Sequence, residues 1–238
     1  MEPSRTAWDL NFSIARVPVR VHPFFWLMTL LLGVRLPPKV LLLWIVAVFV
    51  SVLIHELGHA VAMRGYGYHP SITLYGLGGF TSYSARSGGL ERIVISAAGP
   101  AAGFTVAGIL MLVLRLAGFE VLVTRGLPDI VSIHVIEIVG SVFFTLFLNF
   151  LFFINVFWGI VNLLPIYPLD GGQIAREVLL KMHPDGIRWS LMISMTVAVL
   201  LTAAALIQWN QPFVAVFFGY FAYMNYMALS YTSGGGRW

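Results

Sequence analysis

The sequence predicts an all-α polytopic membrane protein with about six transmembrane helices and a small membrane-associated β region between helices 2 and 3. Composition is the first reason, because 59% of the 238 residues are hydrophobic and 10% are charged, and the mean hydropathy is +0.87. A soluble domain carries about 25% charged residues. The other reasons are a series of long uncharged stretches and the gathering of basic residues in the short segments between them.

Charge and cysteine content exclude several other classes of protein. The net charge of +4 and the isoelectric point near 9.6 come from residues spread over loops, which favours membrane orientation over a nucleic-acid partner. The sequence contains no cysteine, so disulfides and thiolate metal ligands are excluded. The first 17 residues have no apolar segment after a basic start and do not resemble a signal peptide.

Six apolar stretches are predicted to form the membrane helices, because about 20 apolar residues cross about 30 Å of hydrocarbon. The first is short, with 14 residues between Arg20 and Arg35, whose long side chains can reach outward to water. The last two lie in a 48-residue run without charge and are separated by Gln208–Pro212. The predicted spans are residues 21–34, 39–64, 93–114, 138–163, 189–207 and 212–231, within a single domain of residues 1–238.

The basic residues predict the direction of these spans. Six spans place both termini on one face, and an inner N-terminus gives that face ten basic residues against four outside. The inner ten are Arg5, Arg16, Arg20, Arg64, Arg86, Arg92, Arg176, Lys181, Arg188 and Arg237, and the outer four are Arg35, Lys39, Arg115 and Arg125. This excess predicts cytoplasmic N- and C-termini. We expect the membrane to be the cell membrane of a prokaryote.

The connector between the second and third spans, residues 68–89, is predicted to form two short strands joined by a turn. Ile72, Leu74 and Tyr83 alternate with small or polar residues, and Gly78 and Gly79 interrupt the alternation. We expect this segment to dip towards the membrane. The alternative is an amphipathic loop at the membrane surface.

Two histidines and a glutamate lie inside the second predicted span, where a buried charge is costly unless it is paired or bound to a metal. His55 and His59 are four residues apart, so on a helix both imidazoles project from one face. This is the spacing of the H-E-x-x-H zinc motif, in which the glutamate, here Glu56, acts as general base. The alternative is a helix whose histidines hydrogen-bond to neighbouring helices.

A third protein ligand is needed, because catalytic zinc takes three of them and leaves a fourth position for water. The other histidines lie at the ends of spans or in loops and are poor candidates: His22, His69, His134 and His183. Asp170 is the best candidate, since it ends an uncharged run that starts at Ile138. We expect Asn162, Pro165 and Pro168 to end a helix and Asp170 to begin the next as its N-cap. A capping role alone is the alternative for Asp170.

Together the two motifs resemble the site-2 protease family of intramembrane zinc metalloproteases, in the short form without a PDZ or CBS domain. The resemblance rests on H-E-L-G-H-A at residues 55–60 and N-L-L-P-I-Y-P-L-D-G-G at residues 162–172, with V-P-V-R-V-H-P-F-F-W and A-A-G-P-A-A-G-F as support. It implies one Zn²⁺ per chain held by His55, His59 and Asp170, with Glu56 as general base and Asn162 as a polar active-site residue.

The function that the resemblance implies is hydrolysis of peptide bonds in or near transmembrane segments of membrane proteins. Its partners would be a transmembrane protein substrate and the lipid bilayer, without nucleic acid. Two alternatives stay open: a transporter or metal-binding pseudoprotease with the same residues along an ion path, and another membrane zinc peptidase that cuts soluble or lipidated ends. Gly103 and Gln173 stand where many relatives have asparagine and arginine, so the roles of those side chains are absent or altered here.

Overall fold

The structure is a computed structural model, which describes residues 4–76, 78–82, 88–124 and 132–234. Among the basic residues used to predict orientation, Arg86, Arg125 and Arg237 lie outside these ranges. In chain order the elements are β1 (Leu10–Ile14), β2 (Val17–Val21), α1 (Pro23–Leu32), α2 (Pro38–Gly65), β3 (Ser71–Tyr75), β4 (Gly78–Ser82), α3 (Leu90–Leu116), β5 (Val121–Thr124), β6 (Ser132–Val135), α4 (Val142–Asn162), α5 (Asp170–Met182), α6 (Gly186–Ile207) and α7 (Pro212–Gly234).

Among the described residues, five helices are long and apolar enough to cross a membrane: α2, α3, α4, α6 and α7. Each corresponds to a predicted span, which confirms the fold class of a polytopic membrane protein. The first predicted span, residues 21–34, is wrong as a crossing helix. Its helix α1 has ten residues and is only about 15 Å long at about 1.5 Å per residue, and Val21 belongs to the preceding strand.

The predicted β hairpin in the connector is confirmed, and it belongs to a larger sheet. β3 and β4 pair antiparallel, with Leu74 opposite Gly79; Tyr83 lies outside the described residues. β1 and β2 form a second hairpin, and β2 pairs in parallel with β3, so the strand order is β1-β2-β3-β4. The β1–β2 hairpin was not predicted, because the apolar residues of β2 and α1 form one continuous stretch in the sequence.

A parallel strand pair needs a crossover connection, and here α1 and α2 supply it. Arg64, at the end of α2, donates through Nη1 to the carbonyl of Ala15 in the β1–β2 turn at 2.6 Å. Trp44, in the first half of α2, donates through Nε1 to the carbonyl of Thr29 in α1 at 3.1 Å. The N-terminal hairpin therefore lies with the connector beside the end of α2, although α1 is too short to cross.

The described residues form two compact units. The first unit lies within Met1–Arg86 and Ala98–Ile160, and one core joins the buried face of β2 and β3 to α1, α2 and α4. A second core lies where α3, the β5–β6 hairpin and α4 pack together. This unit holds the H-E-x-x-H motif.

The second unit lies within Ser87–Ala97 and Val161–Trp238, and it contains α5, α6 and α7. α5 has 13 residues and one strongly polar face, so it is not a membrane-crossing helix. Gly171 and Gly172 follow Asp170 in its first turn, and a Cβ on either would collide with the backbone of the loop at residues 163–167. The glycines therefore allow the close approach expected of the D-G-G sequence.

Candidate metal centre and active site

His55 and His59 form a pair of imidazoles on one face of α2. They are 5% and 7% exposed, and their Nε2 atoms are 3.2 Å apart. Two ligands of a tetrahedral zinc ion, each at about 2.0–2.1 Å from the metal, lie about 3.3 Å apart. The pair therefore fits the spacing that zinc requires, as the four-residue interval predicts.

α3 packs directly on this pair through Gly99. A Cβ at Gly99 would lie 2.8 Å from Nε2 of His55 and still closer to the ring of His59, distances that only glycine avoids. Gly58 lies between the two histidines in α2, and a Cβ there would collide with the carbonyl oxygen of Ala98 in α3. The A-A-G-P-A-A-G-F sequence thus serves close helix packing, and that packing occurs at the candidate metal ligands.

Glu56 is 4% exposed and is held by β4. Thr81 donates through Oγ1 to Oε2 of Glu56 at 2.6 Å, and a Cβ at Gly79 would lie 2.7 Å from Oε1. Gly79 and Thr81 are two residues apart, so both belong to one face of the strand, while Phe80 on the other face is 50% exposed. The sequence predicted close backbone approach at Gly79. It did not identify Thr81 as the hydrogen-bond partner of Glu56, because the only signal was that Thr81 lies two residues after Gly79 on the same face of the strand.

Asn162 and Asp170 flank the loop between α4 and α5. Each is 7% exposed, and the helix boundaries fall at these two residues, as the prolines predicted. One detail was wrong: Asp170 is the first helical residue, and Leu169 occupies the N-cap position. The peptide between Tyr167 and Pro168 is cis.

His55, His59 and Asp170 are three buried residues that could hold a metal ion. Two imidazoles and a carboxylate are a donor set found at catalytic zinc. In the described part of the chain, this is the one such group of histidine and acidic residues.

The histidines judged poor candidates lie elsewhere. His69, His134 and His183 are exposed, and His22 caps α1 by accepting from the backbone N–H of Phe24 at 3.1 Å. Each therefore has an environment that requires no metal, as the sequence predicted.

Gly103 and Gln173, the two departures from the family pattern, have neighbours that account for them. A Cβ at Gly103 would lie 3.2 Å from the carbonyl oxygen of Asn155, whose side-chain amide donates to Oγ of Ser51 at 2.9 Å. Gln173 donates through Nε2 to the carbonyl of Pro168 at 3.2 Å. An amide from α4 therefore lies beside Gly103, and Gln173 braces the loop before Asp170.

Comparison with known proteins finds zinc metalloproteases among the relatives of this chain. A family model described as peptidase family M50 matches residues 43–204. A zinc metalloprotease of Methanocaldococcus jannaschii is 26% identical over 179 residues, which are 72% of this chain and 45% of the relative. A Mycobacterium tuberculosis protein named as a zinc metalloprotease, Rip3, is 32% identical over 193 residues, 74% of this chain and 44% of that protein. The matched part is thus less than half the length of each relative.

A solved structure shares the fold. The site-2 protease from Methanocaldococcus jannaschii superposes with a TM-score of 0.62 at 20% sequence identity, covering 93% of this chain and 95% of that chain. The family match includes all three candidate ligands. This chain is therefore an integral membrane protein that belongs to peptidase family M50, which confirms the resemblance to site-2 proteases predicted from its two motifs.

Proposed function

We propose that this chain is an intramembrane zinc metalloendopeptidase that cuts membrane-protein substrates in or near their transmembrane segments. The observation that carries the proposal is a buried group of two imidazoles and a carboxylate. A buried glutamate, Glu56, lies next to the first histidine in α2, a helix long and apolar enough to cross a membrane. Apolar helices tolerate such residues when they bind a metal or do chemistry.

The roles of the side chains follow from their chemistry. His55, His59 and Asp170 hold one zinc ion, which when bound supplies Lewis-acid chemistry that activates water and polarises a peptide carbonyl. Glu56 accepts a proton from the attacking water and delivers it to the leaving amine. Asn162 donates a hydrogen bond to the substrate carbonyl oxygen as negative charge develops there.

Substrate capture is assigned to β4. A transmembrane helix hides its carbonyls, so the substrate must unwind, and the freed backbone groups then need partners. β4 is an edge strand of the four-stranded sheet, and its Thr81 contacts Glu56 directly. An extended segment that pairs with β4 would therefore lie close to the general base.

Replacement of Thr81 by proline tests this capture. The carbonyl of Leu74 accepts from the backbone N–H of His22 on the β2 side, so Thr73 and Phe80 bond to each other and the N–H of Thr81 faces the free edge of β4. Thr81→Pro removes this donor, whereas Thr81→Val loses the same hydroxyl, keeps the donor and serves as the control. We expect Thr81→Pro to cleave a helix-destabilised substrate more slowly than Thr81→Val. Equal rates for the two variants would contradict capture by strand pairing.

We also propose that the chain lies in the cell membrane of a prokaryote with both termini in the cytoplasm. One support is the hydrogen bond from Arg64, at the end of α2, to the β1–β2 turn, which keeps the N-terminal hairpin on the side of the connector although α1 does not cross. The ten-to-four distribution of basic residues is therefore retained, and relatives from an archaeon and a bacterium support a prokaryotic membrane. Single cysteines at Ser4, Ser132 and Ser233 can be labelled with a membrane-impermeant thiol reagent in intact cells. Only the cysteine at Ser132 should react from outside, and outside labelling at Ser4 or Ser233 would overturn the orientation.

The decisive experiment for the activity uses Glu56→Gln in detergent-purified protein with a single-span test substrate. Glutamine keeps the volume of the side chain but cannot accept the proton, so zinc should stay near one per chain while cleavage is lost. Glu137→Gln, at an exposed glutamate, is the control and should cleave like the parent. Phenanthroline should inhibit the parent, and added zinc should restore it. Cleavage by metal-free protein would refute the proposal.

A further inference from the structure

The loop between α4 and α5 is held at Tyr167 by polar side chains from two apolar helices. The backbone N–H of Tyr167 donates to Oγ of Ser194 in α6 at 3.0 Å. The carbonyl of Tyr167 accepts from Nδ2 of Asn225 in α7 at 2.7 Å. Both backbone polar groups of one loop residue are therefore bonded to side chains, one from each helix.

Ser194 and Asn225 are unusual residues for their surroundings. Each is 1% exposed, and both lie in the 48-residue run that contains no charge. Asn225 also donates through Nδ2 to the carbonyl of Phe221, four residues earlier in α7, at 2.8 Å. Its amide group thus serves its own helix and the loop together. Buried serine and asparagine side chains in membrane helices commonly hydrogen-bond to neighbouring elements, and here both bond to the same loop residue.

Tyr167 is the point at which three helices meet the loop. Besides its bonds to α6 and α7, its ring lies under the guanidinium of Arg176 in α5, with Cζ 5.5 Å from the ring centroid. Asp170 follows three residues later and opens α5. Because Gly171 and Gly172 pack against the loop backbone, a shift of the Tyr167 peptide would move the first turn of α5 and its carboxylate.

We infer that Ser194 and Asn225 are positioning residues for Asp170, and that α6 and α7 control the metal affinity of the site through the Tyr167 peptide. The inference rests on the proposed role of Asp170 as a zinc ligand. Groups that orient a metal ligand from behind change metal affinity by about 10- to 100-fold when they are removed. Ser194 and Asn225 would act in this way through the backbone, without contacting the metal or the substrate.

Zinc affinity of the detergent-purified full chain, measured by competition with a chelating zinc indicator, tests the inference. Ser194→Ala and Asn225→Leu should each weaken zinc binding about tenfold or more. The matched control is Ser190→Ala, one turn earlier in α6. Ser190 is also 1% exposed, but its hydroxyl donates to the carbonyl of Ile187 in its own helix. The control should bind zinc like the parent.

A double-mutant cycle with Asp170→Ala separates positioning from general stability. If Ser194 acts through Asp170, then Ser194→Ala weakens zinc binding in the parent and has no further effect in Asp170→Ala. Equal weakening in both backgrounds, or parent-like affinity in Ser194→Ala and Asn225→Leu, would overturn the inference. Ser194→Ala removes a single oxygen atom and keeps the test valid if Asn225→Leu does not fold.

The same cycle distinguishes failure of the inference from failure of the proposed function. Parent-like zinc affinity in Asp170→Ala alone would remove Asp170 from the ligand set and would overturn both. Loss of zinc in Asp170→Ala, with no effect of Ser194→Ala or Asn225→Leu, would overturn the inference and leave the proposed site intact. Because the readout is metal affinity, none of these outcomes depends on finding a substrate.

Discussion

The two parts of the candidate metal centre are built in different ways. His55 and His59 lie on one regular helix, and their 3.2 Å separation follows from the α-helical period. Asp170 follows a loop whose Tyr167 peptide is bonded to Ser194 and Asn225. A helix carries its own geometry, whereas a loop takes its geometry from the elements that hold it.

This difference has consequences for mutation. The helix part should respond to changes in its own residues and in atoms packed directly on the imidazoles, such as those at Gly99. The loop part should also respond to changes in helices that touch neither metal nor substrate.

The largest effect is expected when a ligand is removed from either part. His59→Ala and Asp170→Ala each delete one of three proposed ligands, so both should bind zinc far more weakly and lose all measurable cleavage. His134→Ala, at an exposed histidine, is the control. Metal content and cleavage of a single-span substrate measured on the same samples check the prediction. Full zinc occupancy in Asp170→Ala would mean that Asp170 is not a ligand, and only His55 and His59 would remain as proposed ligands.

Asn162, at the junction of α4 and the loop, should affect the rate without affecting the metal. Removal of one donor to a developing oxyanion costs about 10²- to 10³-fold in rate. Asn162→Ala should therefore retain zinc and lose cleavage by this factor. Loss of zinc in this variant would place Asn162 with the groups that orient the metal site.

Thr81 should affect kcat through Glu56. A hydrogen bond to a charged group contributes about 1.5–3 kcal/mol, so Thr81→Val should lower kcat about tenfold or more, with KM unchanged. Thr81→Ser retains the hydroxyl and should recover most of the rate. A rise in KM with unchanged kcat would instead mean that Thr81 supports substrate capture by β4.

Gly99→Ala tests the contact between α3 and the histidine pair. The added methyl group would collide with His55 and His59, and such overpacking costs about 1–3 kcal/mol. Zinc affinity should fall accordingly. Gly108→Ala is the matched control in the same helix, because a Cβ there meets nothing within 4 Å. Equal zinc affinity in the two variants would contradict tight packing at the ligands.

The smallest effect is expected at Asp9, outside the helices. Hydrogen bonding by the Thr6 side chain, with a contribution from Arg20, lowers the pKa of Asp9 from 3.8 to about 2. A lowered pKa in the folded state stabilises the fold above the unfolded value, and this stabilisation is lost as pH falls towards the folded value. The difference in thermal unfolding between the parent and Asp9→Asn should therefore shrink between about pH 4 and about pH 2. A constant difference would contradict the shifted pKa.

Hydropathy predicted the five long helices because each is one apolar segment of sufficient length. The same signal failed at residues 21–34, where β2 and α1 form one apolar run in the sequence but two elements in the structure. The β1–β2 hairpin was missed for this reason. Its parallel pairing with β3 joins residues separated by the whole α1–α2 crossover, and local pattern does not contain that information.

Local sequence was enough to predict the H-E-x-x-H pair and its spacing, the helix break before Asp170, and the glycine-interrupted hairpin. Each depends on residues within a few positions of one another. Other contacts depend on tertiary packing: Thr81 donates to Glu56, 25 residues away, and Tyr167 is held by residues 27 and 58 positions away. Such contacts join elements whose order in the chain does not specify which side chains meet, so packing alone selects them.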